Sequence, residues 1–181
     1  GGDISSLPDV LGGSEQAANY QTENVAANDY TEEKEFSAVV FGHLEDYWQA
    51  AFKERQESYQ DPTLVLFTDS VQSACGYATS QVGPFYCPAD EHVYLDLSFA
   101  NELADTYGAS GDFAMAYVIA HEVGHHVQNE LGITQQLEKI RQQVSETEYN
   151  EYSVRLELQA DYLAGTFAKY LAGETYQGQP I

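Results

Sequence analysis

The chain has 181 residues, 43% of them hydrophobic, enough for one domain with a buried core. Seven Lys and Arg against 29 Asp and Glu leave a formal net charge of −22. Such a surface repels phosphate backbones and excludes nucleic acid as a partner, and it would suit a saline habitat. No run of about 18 apolar residues is present, so this chain inserts nothing into a membrane.

Residues 1–30 are rich in Gly, Ser, Asn, Asp and Glu and read as a flexible linker ahead of one domain over 31–181. The opening "GGDISSLPDVLGG" lacks the basic and apolar regions of a signal peptide. It also lacks Met, and the expectation is a piece processed from a longer chain. From Thr31, Phe36, Val40, Leu44, Tyr47, Trp48 and Ala51 recur at three- and four-residue steps. That spacing predicts an amphipathic helix ending near Tyr59. "TLVLF" (63–67) and "HVYLDL" (92–97) have the apolar, β-branched and aromatic content of strands. Between them lies a Gly- and Pro-rich excursion holding the two cysteines, Cys75 and Cys87. A pair of metal ligands is one reading. A disulfide closing the loop is preferred, because cysteine zinc sites need more ligands at closer spacing, and it points to an oxidising compartment.

The rest reads as helices. A short one over 98–108 would start at Ser98 and stop at Gly108. "GDFAMAYVIAHEVGHHVQNELG" is a central, buried helix closed by Gly132, and "TQQLEKIRQQVSETE" an exposed one. A last helix starts near Asn150 and contains "RLELQAD". The sum is an α+β domain, mostly helical with a small sheet.

The central helix carries H-E-x-x-H as His121, Glu122 and His125. Histidines at i and i+4 share one helix face and can address one ion. Glu122, about 100° round the helix, can reach a metal-bound water without binding the metal. A catalytic zinc takes three protein ligands and leaves a position open. Glu157 and Asp161, again i and i+4, offer the third: one carboxylate can bind metal while the other accepts a ligand histidine's free ring N–H. His126 points away from His125 and is expected behind the ligands or in the cleft wall. His126, Tyr149 and Tyr152 are the candidates for stabilising an oxyanion, by proximity along the chain.

The stretches "SACGYATSQVGPFYCPADEHVYLDLSFANEL", "GDFAMAYVIAHEVGHHVQNELG" and "SVRLELQADYLAG" resemble the bacterial neutral zinc metallopeptidase family, over roughly residues 36–172. The resemblance implies a zincin-like fold with His121, His125 and Glu157 as ligands of one Zn2+. It also implies Glu122 as base, Asp161 behind a ligand, and the Cys75–Cys87 pairing. Members often carry an N-terminal membrane helix with a Gly-rich linker and continue past the "LELQAD" helix. A tethered full-length form in the cell envelope, and a chain shortened at its C-terminus, are therefore expected.

The function expected is hydrolysis of peptide or protein substrates, the substrate lying on "HVYLDL" as an edge strand by analogy with zincins. The alternative is a non-catalytic envelope binding module whose zinc only staples two helices together. An intact Glu122 argues against that, because a structural zinc needs no base and normally has four protein ligands.

Overall fold

The computed structural model describes residues 18, 20–26, 29–99, 102–103, 111–172, 175–176 and 179–180. The first periodic segment forms helix α1, Thr31–Glu54, which buries Phe36, Val40, Phe41, Leu44, Trp48 and Phe52. It stops short of Tyr59 because Gln56 takes a left-handed conformation (φ 60°) that cannot continue the helix. Tyr59 folds back instead onto Phe52, ring centroids 4.9 Å apart.

Strands β1 (Tyr20–Glu23), β2 (Thr63–Phe67), β6 (His92–Asp96) and β5 (Phe85–Cys87) lie side by side in that order. β1, β2 and β6 run parallel, and β5 is antiparallel to β6. β2 lies between two neighbours and is buried on both faces, which is why "TLVLF" is a continuous apolar run. Leu64 and Leu66, with Val93 and Leu95, face the main core beneath α1. Val65, Phe67 and Tyr94 face a smaller cluster with Val71, Ala78 and Cys87. That cluster lies under the hairpin β3 (Ser70–Ser73) and β4 (Gly76–Thr79). A buried Leu or Phe on these faces contributes roughly 1.5–3 kcal/mol.

Three expectations are corrected here. The linker boundary at residue 30 is too late, since β1 pairs with β2 and Ala18 joins the main core. β1 was hidden because YQTE is exposed at every position and shows no alternation. Residues 1–17 lie outside the described residues. The edge strand beside the helices is β5, not "HVYLDL", whose β6 is paired on both sides. The last helix begins before Asn150, as described below. Of the short helix expected over 98–108, residues 100, 101 and 104–108 lie outside the described residues.

Cys75 and Cys87 form a disulfide that ties the β3–β4 turn to the end of β5. Closing so short a loop stabilises the fold by about 3 kcal/mol in the chain-entropy account. β5 is further held by Phe85 stacked on Tyr94, centroids 4.8 Å apart.

Helix α2 (Gly111–Glu130) sends Met115, Ile119, Val123 and Val127 into the main core. Gly132, at φ 73°, turns the chain into α3, Ile133–Arg141. Helix α4 spans Glu146–Leu171. Its start is set by a capping box: Ser145 Oγ accepts from the Glu148 N–H while the Glu148 carboxylate accepts from the Ser145 N–H. That reciprocal pair outcompetes Asn150 as a cap. α4 packs along α2 and adds Ala164, Phe167 and Leu171 to the core. Strands β7 (Thr175–Tyr176) and β8 (Gln179–Pro180) form a short separate hairpin.

Candidate metal centre

The site starts from how closely α2 and α4 approach. A Cβ on Gly124 would lie 3.1 Å from the Ala160 carbonyl oxygen and 3.3 Å from its Cα, so glycine at this crossing lets the two backbones meet. On α4 Glu157 stands about one turn before the crossing and Asp161 directly after it, and on α2 His121 and His125 face them.

The three inner donor atoms converge. His121 Nε2 is 3.2 Å from His125 Nε2 and 3.2 Å from Glu157 Oε2, and His125 Nε2 is 3.5 Å from the same oxygen. A tetrahedron with bonds of 2.0–2.1 Å has edges of about 3.3–3.4 Å, so these separations suit three ligands of one tetrahedral cation. The outer ring nitrogens settle the tautomers. His121 Nδ1–H donates to Asp161 Oδ1 (2.8 Å), which also accepts from the Tyr117 hydroxyl (3.1 Å). His125 Nδ1–H donates to Gln128 Oε1 (2.9 Å). With both outer nitrogens protonated, both Nε2 lone pairs point at one place beside a carboxylate. Burial holds His125 below the ordinary imidazole range, favouring the neutral ring a metal needs. The donor set, two imidazoles and a carboxylate, fits zinc among the common divalent ions.

Glu122 stands next to this group without joining it. Its side chain is buried, and burial pushes its carboxyl up to about 8. The nearby Glu157 charge adds to that rise, and a hydrogen bond from the Tyr86 backbone N–H opposes it. The cleft in front has a volume of about 380 Å³. β5 and its flanks form one wall (Pro84, Phe85, Tyr86), and Thr134, Leu156 and Glu157 form the other.

His126 lies outside this cleft. It is fully buried, its Nε2–H donating to the Gln60 carbonyl (2.7 Å) and its Nδ1 accepting from the Tyr86 hydroxyl (3.0 Å). Its ring anchors the strand that holds Glu122. Tyr149 lies under the Arg141 guanidinium, 5.2 Å from centroid to Cζ, and Tyr152 lines a different groove. None of the three oxyanion candidates lines the cleft.

Three residues join the site that sequence reasoning did not single out. Gln128 bridges the helices, donating from Nε2 to the Leu156 carbonyl (2.8 Å) and Gln159 Oε1 (3.0 Å). Its place at His125+3, and that of Tyr117 at His121−4, are helical spacings the sequence could have offered. Tyr86 had no such signal, because its place depends on strand pairing.

An α+β domain in which an H-E-x-x-H helix meets a second, acidic helix is of the zincin-like class. A family model described as "Putative neutral zinc metallopeptidase" matches residues 1–177, and the chain belongs to that family. It is 42% identical over 161 residues to Uncharacterized protein YpfJ of Escherichia coli (strain K12), covering 89% of this chain and 56% of that protein. It is 43% identical over 122 residues to Uncharacterized protein Rv2575 of Mycobacterium tuberculosis (strain ATCC 25618 / H37Rv), covering 67% of this chain and 40% of the relative. The chain thus spans about half the length, or less, of these curated relatives. No solved structure matches it.

Proposed function

We propose that the chain is a zinc-dependent peptidase with His121, His125 and Glu157 holding the ion and Glu122 as general base. The observation that carries this reading is the buried Glu122 carboxylate, fixed by a strand amide in the cleft where three ligand atoms converge. A zinc ion held there supplies Lewis acidity to a bound water and to a substrate carbonyl.

The remaining chemistry belongs to the chain. Glu122 takes the proton of the attacking water and returns it to the leaving amine, a role suited to a carboxyl raised toward neutrality. Asp161 and Gln128 hold the ligand imidazoles in one tautomer. Among the described residues β5 pairs only with β6, and it walls the cleft with its Tyr86 N–H held by the Glu122 carboxylate. An extended peptide can lie along that wall with its scissile bond over the ligand group. The peptide or protein substrate binds there, and the disulfide supports work in the periplasm or outside the cell.

The stapling alternative needs a fourth protein ligand. Among the described residues the group of possible ligands stops at three, which supports an open site.

The test compares two carboxylates. Glu122→Gln should retain zinc near one per chain while peptide hydrolysis falls by about 10² or more. Glu157→Gln should lose zinc and activity together. Metal content by mass spectrometry after dialysis, paired with a peptide hydrolysis assay, reads both. Full activity in Glu122→Gln would sink the proposed base, and unchanged zinc affinity in Glu157→Gln would remove it from the ligand set.

A further inference from the structure

Leu156, the residue before Glu157, lines both the cleft and a second groove of about 200 Å³ between α3 and α4. Ile133, Leu137 and Ile140 from α3 and Leu156 from α4 make that groove apolar. Its volume is below the roughly 300 Å³ of the smallest small-molecule sites and suits one large side chain. Arg155 is the only charged residue along it among the described residues, in a chain of net charge −22. Arg55 pairs with Glu57, and Arg141 with Glu138. Exposed Arg155 has no carboxylate partner among the described residues and lies over the Tyr152 ring, 5.6 Å from its centroid. A guanidinium left unpaired at the rim of an apolar groove is placed to receive a carboxylate.

We propose that this groove is a substrate subsite, taking a large aliphatic or aromatic side chain and, beside it at Arg155, a carboxylate of the same peptide. That carboxylate is an acidic side chain or a chain terminus. The inference rests on the peptidase reading. Two features support it: the groove adjoins the metal cleft at Leu156, which lines both, and its one charge is opposite in sign to the net charge of the chain.

The zinc-loaded chain should be given peptides varied for apolar and acidic residues, some amidated and some with a free C-terminus, with products read by mass spectrometry. The expected sites have Leu, Ile, Met or Phe at one fixed position with a carboxylate next to it. The amidated arm separates an internal Glu or Asp from a terminal carboxylate. Arg155→Glu should lower the ratio of kcat/KM for acidic over neutral peptides about five- to tenfold, the scale of an exposed ion pair lost and a repulsive one made. Gln136→Trp, at another exposed lining position, should lower cleavage of large-apolar over Ala-containing peptides. If peptides are cleaved and neither variant moves its ratio, this inference is overturned while the peptidase reading stands.

If the zinc-loaded chain cleaves no peptide, the peptidase reading has failed, and binding decides the rest. Isotope-labelled chain would then be titrated with acetyl-Leu-Glu-amide and acetyl-Leu-Glu. Saturable NMR shifts at Leu137, Ile140 and Tyr152 that Arg155→Glu weakens would keep the groove as a site for carboxylate-bearing peptides. No shifts there would overturn it.

Discussion

In the proposed metal site Gln128 and Asp161 do the same work by different chemistry. Each accepts the Nδ1–H of one of the two histidines, but Gln128 is neutral, fully buried and bonded to α4 by two further hydrogen bonds. Gln128→Leu would strip all three bonds and leave the Leu156 carbonyl without this donor. Metal affinity should fall by roughly 10- to 100-fold, read by competition with a chromophoric chelator. Glu122 gives a second residue-level test. In the metal-free chain its carboxyl is raised by burial from 4.5 to about 8. Between those values the folded chain keeps a proton that the unfolded chain has released, so stability falls as pH rises through that window. From pH 7 to 8 the loss should be about 1 kcal/mol, and Glu122→Gln should abolish it. Urea midpoints at the two pH values measure this, and an undiminished slope in the variant would place the titrating group elsewhere.

At the scale of elements, the proposed ligand set depends on two backbones meeting at Gly124. Gly124→Ala would put a methyl 3.1 Å from the Ala160 carbonyl oxygen, an atom of helix backbone that cannot swing aside. The helices must part by a few tenths of an ångström. The expected cost is about 1–3 kcal/mol of stability, with weaker metal binding, read by thermal melts with and without zinc. Strand β5 offers the converse case, because it can be loosened without touching a ligand. His126→Leu would leave the Tyr86 hydroxyl without its ring partner, so the strand holding Glu122 should drift. Zinc content should persist while kcat falls. Helical segments were legible in the sequence because their apolar spacing is local, and H-E-x-x-H is a consequence of the same spacing. β2 was legible because a strand buried on both faces is one apolar run. β1, β3, β4 and β5 were not, since three or four mixed residues become strands only when a distant partner supplies hydrogen bonds. For the same reason the sequence pointed to "HVYLDL" as the edge and missed Tyr86.

Across the whole molecule, 29 acidic groups against 7 basic ones make self-repulsion a standing cost. Screening should relieve it, so the melting temperature should rise by several degrees between about 0.05 and 1 M NaCl, where the Debye length shrinks to roughly 3 Å. A flat response would mean that the charges are too dispersed to couple. The disulfide has a further consequence. Cys87 ends β5 and adjoins Tyr86, whose N–H holds the Glu122 carboxylate. The covalent tie to Cys75 therefore reaches the Glu122 carboxylate through one residue, while the helices bearing the proposed ligands have no share in it. Reduction would free the strand end and leave α2 and α4 packed. A phosphine reductant, which unlike a dithiol does not bind zinc tightly, should then slow hydrolysis until reoxidation while helical circular dichroism and bound zinc persist. On the proposed reading, a chain with this wiring would be slow among reducing thiols and would gain its full rate only after oxidation.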